Sequence, residues 1–335
     1  MNDLLERLSR EDRDKLRRRE QPQWTGPMLA TLVHEAFSDS DWIYERKLDG
    51  ERVLVFRQAG GVRLMTRNQK QINDTYPELA DALEEQPAKD FIADGEVVAF
   101  EGAVTSFSRL QKRMQIRDRE EARQSRVGVY LYLFDLLHFD GYDLTRLALR
   151  ARKDLLRKTV EFSGRLRYTP HRNESGEAYL EEACEKGWEG LIAKKADSPY
   201  RHSRSRDWLK LKCSRGQEMV IAGFTEPKGS RTGFGALLLG YYEDDELRYA
   251  GRVGTGFDED ELERLHKRLK PLSRKSSPFA DEEIADKGVT FVQPKLVAEI
   301  AFTEWTHEGK LRHPRYLGLR RDKKAREVVR ERPSA

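Results

Sequence analysis

Cysteine is almost absent: the 335 residues hold two, Cys184 and Cys213. They have neither zinc-ligand nor disulfide-framework spacing and suit a reducing compartment. The seven histidines are scattered, with no HExxH or Cys/His cluster, which argues against a zinc site. No apolar run nears the roughly 18 residues of a membrane span, and the N-terminus lacks a secretory pattern. These absences point to the cytoplasm and away from membranes. Repeats and low-complexity tracts are missing too. Nor does one charge dominate, since 62 Lys and Arg against 58 Asp and Glu leave a net +4. Bulk charge therefore does not announce a nucleic-acid binder, and its distribution carries the information.

What the chain has is charge of both signs, 36% of all residues, on a length sufficient for two cores. Residues 1–20, with Leu4, Leu5, Leu8 and Leu16, read as a polar amphipathic helix, and 21–27 as a connector. Two strands are expected around Asp49-Gly50 within 42–56, another over 62–66, and a helix over 76–83. Residues 91–100 read as a buried strand interrupted by Asp94-Gly95-Glu96. A basic helix follows over 106–126, with Phe107, Leu110 and Met114 as its buried stripe; its arginines suit a solvated face better than a DNA contact. Residues 129–137 alternate cleanly, with Tyr130, Tyr132 and Phe134 on one side and Val129, Leu131 and Leu133 on the other. Helices over 144–160 and 177–186 precede short strands over 190–195 and 208–212, which a basic loop separates. Near residue 215 the character changes to glycine-punctuated strands with one helix over 258–269, the pattern of a small closed barrel such as an OB-fold.

Chemistry concentrates in Glu45-Arg46-Lys47-Leu48-Asp49-Gly50-Glu51-Arg52. In an extended segment Glu45, Lys47 and Asp49 share a face. A lysine amine attacks phosphorus only when neutral, and neighbouring cations lower its pKa toward that state. The same stretch is equally readable as a solvated, charged strand end. Lys210 and Lys212, two apart on a strand, aim both ammonium groups one way, a good anion site, while Leu209 and Leu211 face a core. Asp94-Gly95-Glu96 and Glu189-Gly190 set carboxylates beside glycine, where a hard cation can approach.

The ordered set is far more specific than its parts. Lys-x-Asp-Gly-x-Arg (47–52), Thr-Arg-Asn (66–68), Asp-Gly-Glu (94–96), Tyr-Leu-Phe-Asp (132–135), Glu-Gly-Leu-Ile-Ala-Lys (189–194) and Trp-Leu-Lys-Leu-Lys (208–212) closely resemble the motif series of the covalent nucleotidyltransferases, in the order found in ATP-dependent DNA ligases. Residues 194–200, the run to Trp208, 303–306 and 311–319 resemble the ligase domain of bacterial end-joining (LigD-type) enzymes in particular. The resemblance implies an α+β, two-domain fold. An adenylation (nucleotidyltransferase) domain of antiparallel sheets with flanking helices, ATP-grasp-like, spans 24–214; an OB-fold β-barrel spans 215–335; residues 1–23 form an N-terminal helical extension.

By the same resemblance Lys47 is the nucleophile that takes AMP from ATP and passes it to a DNA 5′-phosphate, after which the 3′-hydroxyl seals the strand. Lys210 and Lys212 hold the α-phosphate and help keep Lys47 neutral. Glu96 and Glu189 position Mg²⁺ or Mn²⁺, with bonding to the ribose as the other role open to Glu96. Arg52 and Arg67 touch the nucleotide and the nick 5′-phosphate, Phe134 stacks on adenine, and Glu45 reads its edge. Asp49 serves the later steps. Arg320, Asp322 and Lys323 resemble a barrel-borne motif that orients the leaving pyrophosphate, which requires the barrel to swing. The implied substrate is nicked or broken duplex DNA, the implied form a monomer, and the implied partner a Ku-type end-binding protein. With no room for polymerase or phosphoesterase modules in 335 residues, a freestanding enzyme or an excised ligase module is expected. An RNA ligase, a GTP-using capping enzyme and a non-catalytic DNA-binding scaffold are the competing readings.

Overall fold

The computed structural model describes residues 2–331 apart from His34, Ser214, Arg215, Lys228, Ser230, Arg231, Glu282, Glu283, Ala285, Asp286, Lys287 and Asp322. The chain forms two compact units, the first ending at Cys213.

Alternating apolar and polar residues build two sheets in the first unit. The larger runs, in spatial order, Arg17–Arg18, Tyr142–Asp143, Val129–Phe139, Phe91–Glu101, Glu51–Gln58 and Gly61–Thr66, with Leu166–Tyr168 and Val104–Thr105 added beside this path. The smaller has the order His171–Asn173, Trp42–Arg46, Gly190–Lys195, Arg204–Lys212 and Leu29–Val33. One face of the large sheet (Val53, Val55, Val97, Leu131, Leu133) packs on Phe107, Leu110 and Met114 of helix Phe107–Met114 and on Leu155 and Leu156 of helix Leu149–Thr159. Its other face gives Leu54, Phe56, Ile92 and Phe134 to a smaller core shared with Trp208 of the second sheet. The back of the small sheet buries Tyr44, Leu191, Ala193, Leu209 and Leu211 with Tyr179 and Ala183 of helix Gly176–Glu185. Three apolar layers thus alternate with two sheets, the usual solution for burying each sheet face.

The two strands expected around Asp49-Gly50 exist, but they are not partners. Trp42–Arg46 lies in the small sheet and Glu51–Gln58 in the large one, so residues 47–50 cross from sheet to sheet. Gly50 makes that crossing fit: a Cβ there would collide with the Val97 carbonyl and the Glu96 side chain.

The second unit contains an antiparallel sheet ordered Glu246–Val253, Leu237–Glu243, Gly216–Thr225, Val289–Ala301, Ser273–Arg274, with Arg315–Arg320 also on Val289–Ala301. Register shifts at Ile221/Gly223, Leu239/Gly240 and Glu299/Ile300 interrupt its ladders, the irregularities that bend and twist strands. Leu262, Leu265 and Leu269 of helix Glu259–Leu269 complete its core.

Four expectations change. The N-terminal helix is two short ones, Asp3–Glu6 and Arg10–Lys15, and Leu5 is fully buried in the core of the large sheet. The basic helix breaks into Phe107–Met114 and Arg119–Arg123, with Asp118 capping the second through the Glu121 N–H. Its Arg113 is buried and donates to the Thr75 carbonyl (2.9 Å), the Ala122 carbonyl and Glu78 (2.6 Å), so it clasps the helices and is neither solvated nor free for DNA. The sheets are mixed: Leu166–Tyr168 runs parallel to Val129–Phe139, and Leu29–Val33 runs parallel to Arg204–Lys212. The first pair is joined through helix Leu149–Thr159, the kind of crossover that parallel strands require, and the second through most of the unit's other elements. Finally, Cys184 and Cys213 are not separate thiols. Helix Gly176–Glu185 and strand Arg204–Lys212 share a core, and this packing brings residues 29 apart in sequence to 5.1 Å between Cα atoms, where they form a disulfide.

Candidate active site

Pairing in the small sheet fixes which side chains share a face. Ile43, Lys194 and Trp208 lie in one row, Glu45, Ile192 and Lys210 in the next, and Gly190 pairs with Lys212. The Lys47 N–H donates to the Gly190 carbonyl (2.9 Å), which extends the ladder one residue beyond Arg46. Glu45, Lys47, Lys194, Trp208, Lys210 and Lys212 therefore occupy the front face, and the apolar alternates occupy the back. Gly190 has φ +143°, and a Cβ there would collide with the Leu211 carbonyl; the absent side chain lets Lys47 and Lys212 flank a bare stretch of backbone.

Lys47 and Glu189 meet at 2.5 Å between Nζ and Oε2, both side chains about four-fifths shielded. Burial and the Lys212 ammonium push the Lys47 pKa down, but Glu189, with Glu96 adding to it, outweighs them and holds it above the ordinary lysine value. The expectation that Lys210 and Lys212 keep Lys47 neutral is corrected here, since a carboxylate in direct contact outweighs a cation farther off.

Arg52, opposite Glu96 in the large sheet, is held by a bidentate pair to Asp94 (2.6 Å for both Nε–Oδ1 and Nη2–Oδ2). Asp94 is fully buried and also accepts the Tyr200 hydroxyl (2.5 Å), which in turn accepts the Met28 N–H (2.7 Å). Burial works against the Arg52 charge and Asp94 restores it, with a net shift upward. The Asp94-Gly95-Glu96 acids do not end their strand, since Phe91–Glu101 is continuous with Asp94 paired to Arg52, but the ladder to Val129–Phe139 shifts register at Asp94/Gly95. Arg67 sits half-buried in the turn after Gly61–Thr66, at the Arg52 end of that strand pair.

Phe134 is buried between cations. The Arg52 guanidinium carbon lies 4.6 Å and Lys194 Nζ 4.1 Å from its ring centroid, and Trp208 meets it edge-on at 6.1 Å. Glu45 is also buried and bound to two lysines, accepting from Lys153 Nζ at 2.5 Å on Oε1 and pairing with Lys194 Nζ at 2.6 Å on Oε2. Burial would raise its pKa, yet the two ammonium groups bring it below the usual carboxylate value. Asp49 points elsewhere: its carboxylate accepts the Phe107 N–H (3.3 Å) at the start of helix Phe107–Met114, where a negative charge is favoured, and its own N–H donates to Thr105 Oγ1 (3.2 Å).

In the second unit, Arg320 lies 3.9 Å from Glu299 and Lys323 forms a 2.8 Å pair with Glu218. Asp322 lies outside the described residues. Lys153 is a site-building residue outside every matched motif, while Asp94 and Tyr200 lie within matched motifs but have no site role in the sequence reading. Lys153 carries one legible signal, its phase: Leu149, Arg152, Lys153 and Leu156 share the buried side of their helix.

The family model for the ATP dependent DNA ligase domain matches residues 27–212, and that for the ATP dependent DNA ligase C terminal region matches 230–323. The chain belongs to the ATP-dependent DNA ligases. It is 41% identical over 323 residues to the multifunctional non-homologous end joining protein LigD of Pseudomonas aeruginosa, covering 93% of this chain and 37% of the relative. Its identity to the LigD of Mycobacterium tuberculosis H37Rv is 39% over 313 residues, covering 91% and 40%. The ligase thus spans about two fifths of the length of these relatives. Among solved structures, a mycobacterial DNA ligase D complexed with ATP and MES matches with TM-score 0.66 and 36% identity, over 92% of this chain and 98% of that one. The fold is accordingly a nucleotidyltransferase domain followed by an OB-fold, and neither a capping enzyme nor a scaffold is favoured. Among the described residues no helix is long and apolar enough to cross a membrane.

Proposed function

We propose that this ligase seals 5′-phosphate/3′-hydroxyl breaks in duplex DNA through AMP carried on Lys47. The observation that carries this reading is the front face itself: Lys47, at the crossing of two sheets, with Lys212 beside it and Glu189 on its ammonium. Lys47 Nζ, once its pair with Glu189 opens and its proton leaves, attacks the α-phosphorus of ATP; a P–N bond forms and the bond to pyrophosphate breaks. A covalent intermediate divides one difficult exchange into easier ones. Lys210 and Lys212 meet the α-phosphate, where phosphoryl transfer depends on positioning and charge neutralisation. Arg52, fixed by Asp94, offers an oriented fork for phosphate oxygens or the ribose. Glu45 faces the base and Phe134 stacks on it, Arg67 meets the nick phosphate, and Asp49 acts in the sealing steps. Arg320, Asp322 and Lys323 orient pyrophosphate.

Among the described residues no group of three or more His, Cys, Asp or Glu forms a self-sufficient metal cage. Glu96 and Glu189, both acting on Lys47, match the way Mg²⁺ or Mn²⁺ is held by one or two carboxylates with phosphates and water completing the shell. These two would hold the ion, which supplies positive charge to the phosphates.

The names of the LigD relatives support end joining as the setting. In that reading nicked or broken duplex DNA is the substrate, a Ku-type end-binding protein the partner, a monomer the working form, and the cytoplasm the location. The test is sealing of a singly nicked duplex with ATP and Mg²⁺, wild type beside Lys47→Ala. Sealing that requires Lys47 supports the reading. Sealing by both proteins, or by neither with no protein-AMP formed, overturns it.

A further inference from the structure

The Cys184–Cys213 bond reaches the active site through the main chain. The Cys213 N–H donates to the Glu189 carbonyl (3.0 Å), beside the position where Gly190 pairs with Lys212. On the other side, the Cys184 and Ala183 carbonyls accept from the N–H groups of Gly187 (3.0 Å) and Trp188 (2.9 Å). Glu189 thus leaves a turn pinned to one cysteine and lies against the backbone of the other. Its carboxylate is the one that meets Lys47, at 2.5 Å.

Folding alone does not call for a bond at this place. Disulfides are indispensable where a small fold lacks a core. Here helix Gly176–Glu185 and the strands beneath it already bury Tyr179, Ala183, Leu191 and Leu211 together, and two larger or comparable cores hold the rest of the unit. Nor is the bond shielded. Cys184 is exposed, in a surface hollow lined also by Ala36, Glu177, Leu180 and Glu181, and Cys213 is half-buried. Exposed disulfides are the labile and regulatory ones. With two cysteines in the whole chain, exchange within one molecule cannot pass to a third, so the pair has two end states, one bond or two thiols.

We infer that the Cys184–Cys213 pair is a redox-sensitive catch on self-adenylylation: bonded, it holds Glu189 on Lys47; opened, it lets that ion pair part and Lys47 react. This rests on the reading above in which Lys47 takes AMP once its pair with Glu189 opens. The reductant is a small thiol. Its thiolate attacks the exposed Cys184 sulfur, a mixed disulfide forms, and Cys213 leaves as a thiolate that takes up a proton. A second thiol attacks the mixed disulfide, releasing Cys184 as a thiol and a small-molecule disulfide. The protein gains two electrons and two protons, and the two thiols lose them; a small-molecule disulfide drives the reverse. Cys213 is a positioning residue in this scheme, since it acts on Lys47 only through Glu189.

The experiment equilibrates the full chain at set ratios of reduced to oxidised dithiothreitol and counts free thiols. The rate of protein-AMP formation is measured at saturating ATP and Mg²⁺, with melting temperature beside it. Wild type should form protein-AMP about fivefold or more faster when reduced, with its midpoint at the ratio where thiols appear. Cys184→Ser and Cys213→Ser, which cannot form the bond, should run at the reduced rate at every ratio. Equal rates in the two forms, with only melting temperature changed, would make the bond a structural staple and overturn the inference. A faster oxidised form, or thiols that stay free at every ratio, would overturn it too, as would a rate that follows the ratio in the serine variants. If neither form makes protein-AMP while the thiols titrate normally, the assignment of Lys47 fails and the catch with it. The wild-type titration needs no substitution, so it decides the matter even where a serine variant does not fold.

Discussion

The two faces of the small sheet are made by the same strands, yet they differ in nearly everything. On the back, Tyr44, Leu191, Ala193, Leu209 and Leu211 are closed off by helix Gly176–Glu185. On the front stand Glu45, Lys194, Lys210 and Lys212, each one residue from a back-face neighbour, and Lys47 just beyond the end of its strand. The back is held by non-directional burial, and any group of similar shape would serve. The front is held by specific pairs, and each charge depends on its neighbour. Strand alternation is what lets one backbone carry both, so stability and chemistry can be altered independently at adjacent positions.

The largest separation should come from Lys47→Ala. Loss of the nucleophile should take protein-AMP formation below detection, while the unfolding midpoint in denaturant stays close to wild type. A stable adduct recovered from this variant would move the nucleophile elsewhere. The neighbouring pair sharpens the contrast. Lys212→Ala should lower the adenylylation rate by about 10²–10³-fold, the usual cost of one electrostatic stabiliser, with stability changed by under about 1 kcal/mol. Leu211→Ala should do the reverse, costing about 2–5 kcal/mol of stability while folded molecules keep most of their rate. If both variants lost the same property, the two-face assignment would be wrong.

A smaller effect is expected at the edge of the back face. Cys184→Ser should lower stability by about 2–4 kcal/mol, matching wild type treated with a thiol reductant. Wild type whose denaturation curve ignores the reductant would show that the bond does not form. Smallest is a pH effect from the front face. Burial, reinforced by Lys153 and resisted by Glu45 and Asp135, brings the Lys194 pKa down to about 8 from 10.5. Between those values the unfolded chain binds more protons at this site, so its contribution to stability grows as pH rises from about 8. Lys194→Met should therefore give a flatter dependence of melting temperature on pH between about 8 and 10. A profile parallel to wild type would mean that Lys194 titrates normally.

How much of this was legible in the sequence follows from the same contrast. Alternation over 208–212 separates Leu209 and Leu211 from Lys210 and Lys212 without any structure, because a strand has a fixed period. The ordered motifs, through their resemblance to the covalent nucleotidyltransferases, single out Lys47, Glu96 and Glu189 as candidates. The crossing at 47–50 was not legible, since nothing local says that two adjacent strands join different sheets. Lys153 was hidden among other basic residues of its helix and differs from them only in where the helix packs. Cys184 and Cys213 were misjudged for a related reason: separation along the chain is no guide once a helix and a strand share a core. Asp94 reads as a strand interruption until Arg52 and Tyr200 are seen on it.

The Cys184–Cys213 bond also closes a covalent ring, and Glu189, Lys194, Lys210 and Lys212 all lie within it. The basic segment 201–206 is the largely exposed arc of that ring. A single peptide-bond cut there would open the arc without releasing either piece, leaving a nicked molecule whose halves stay joined by sulfur and by paired strands. Scission in this exposed segment thus disperses none of these four residues.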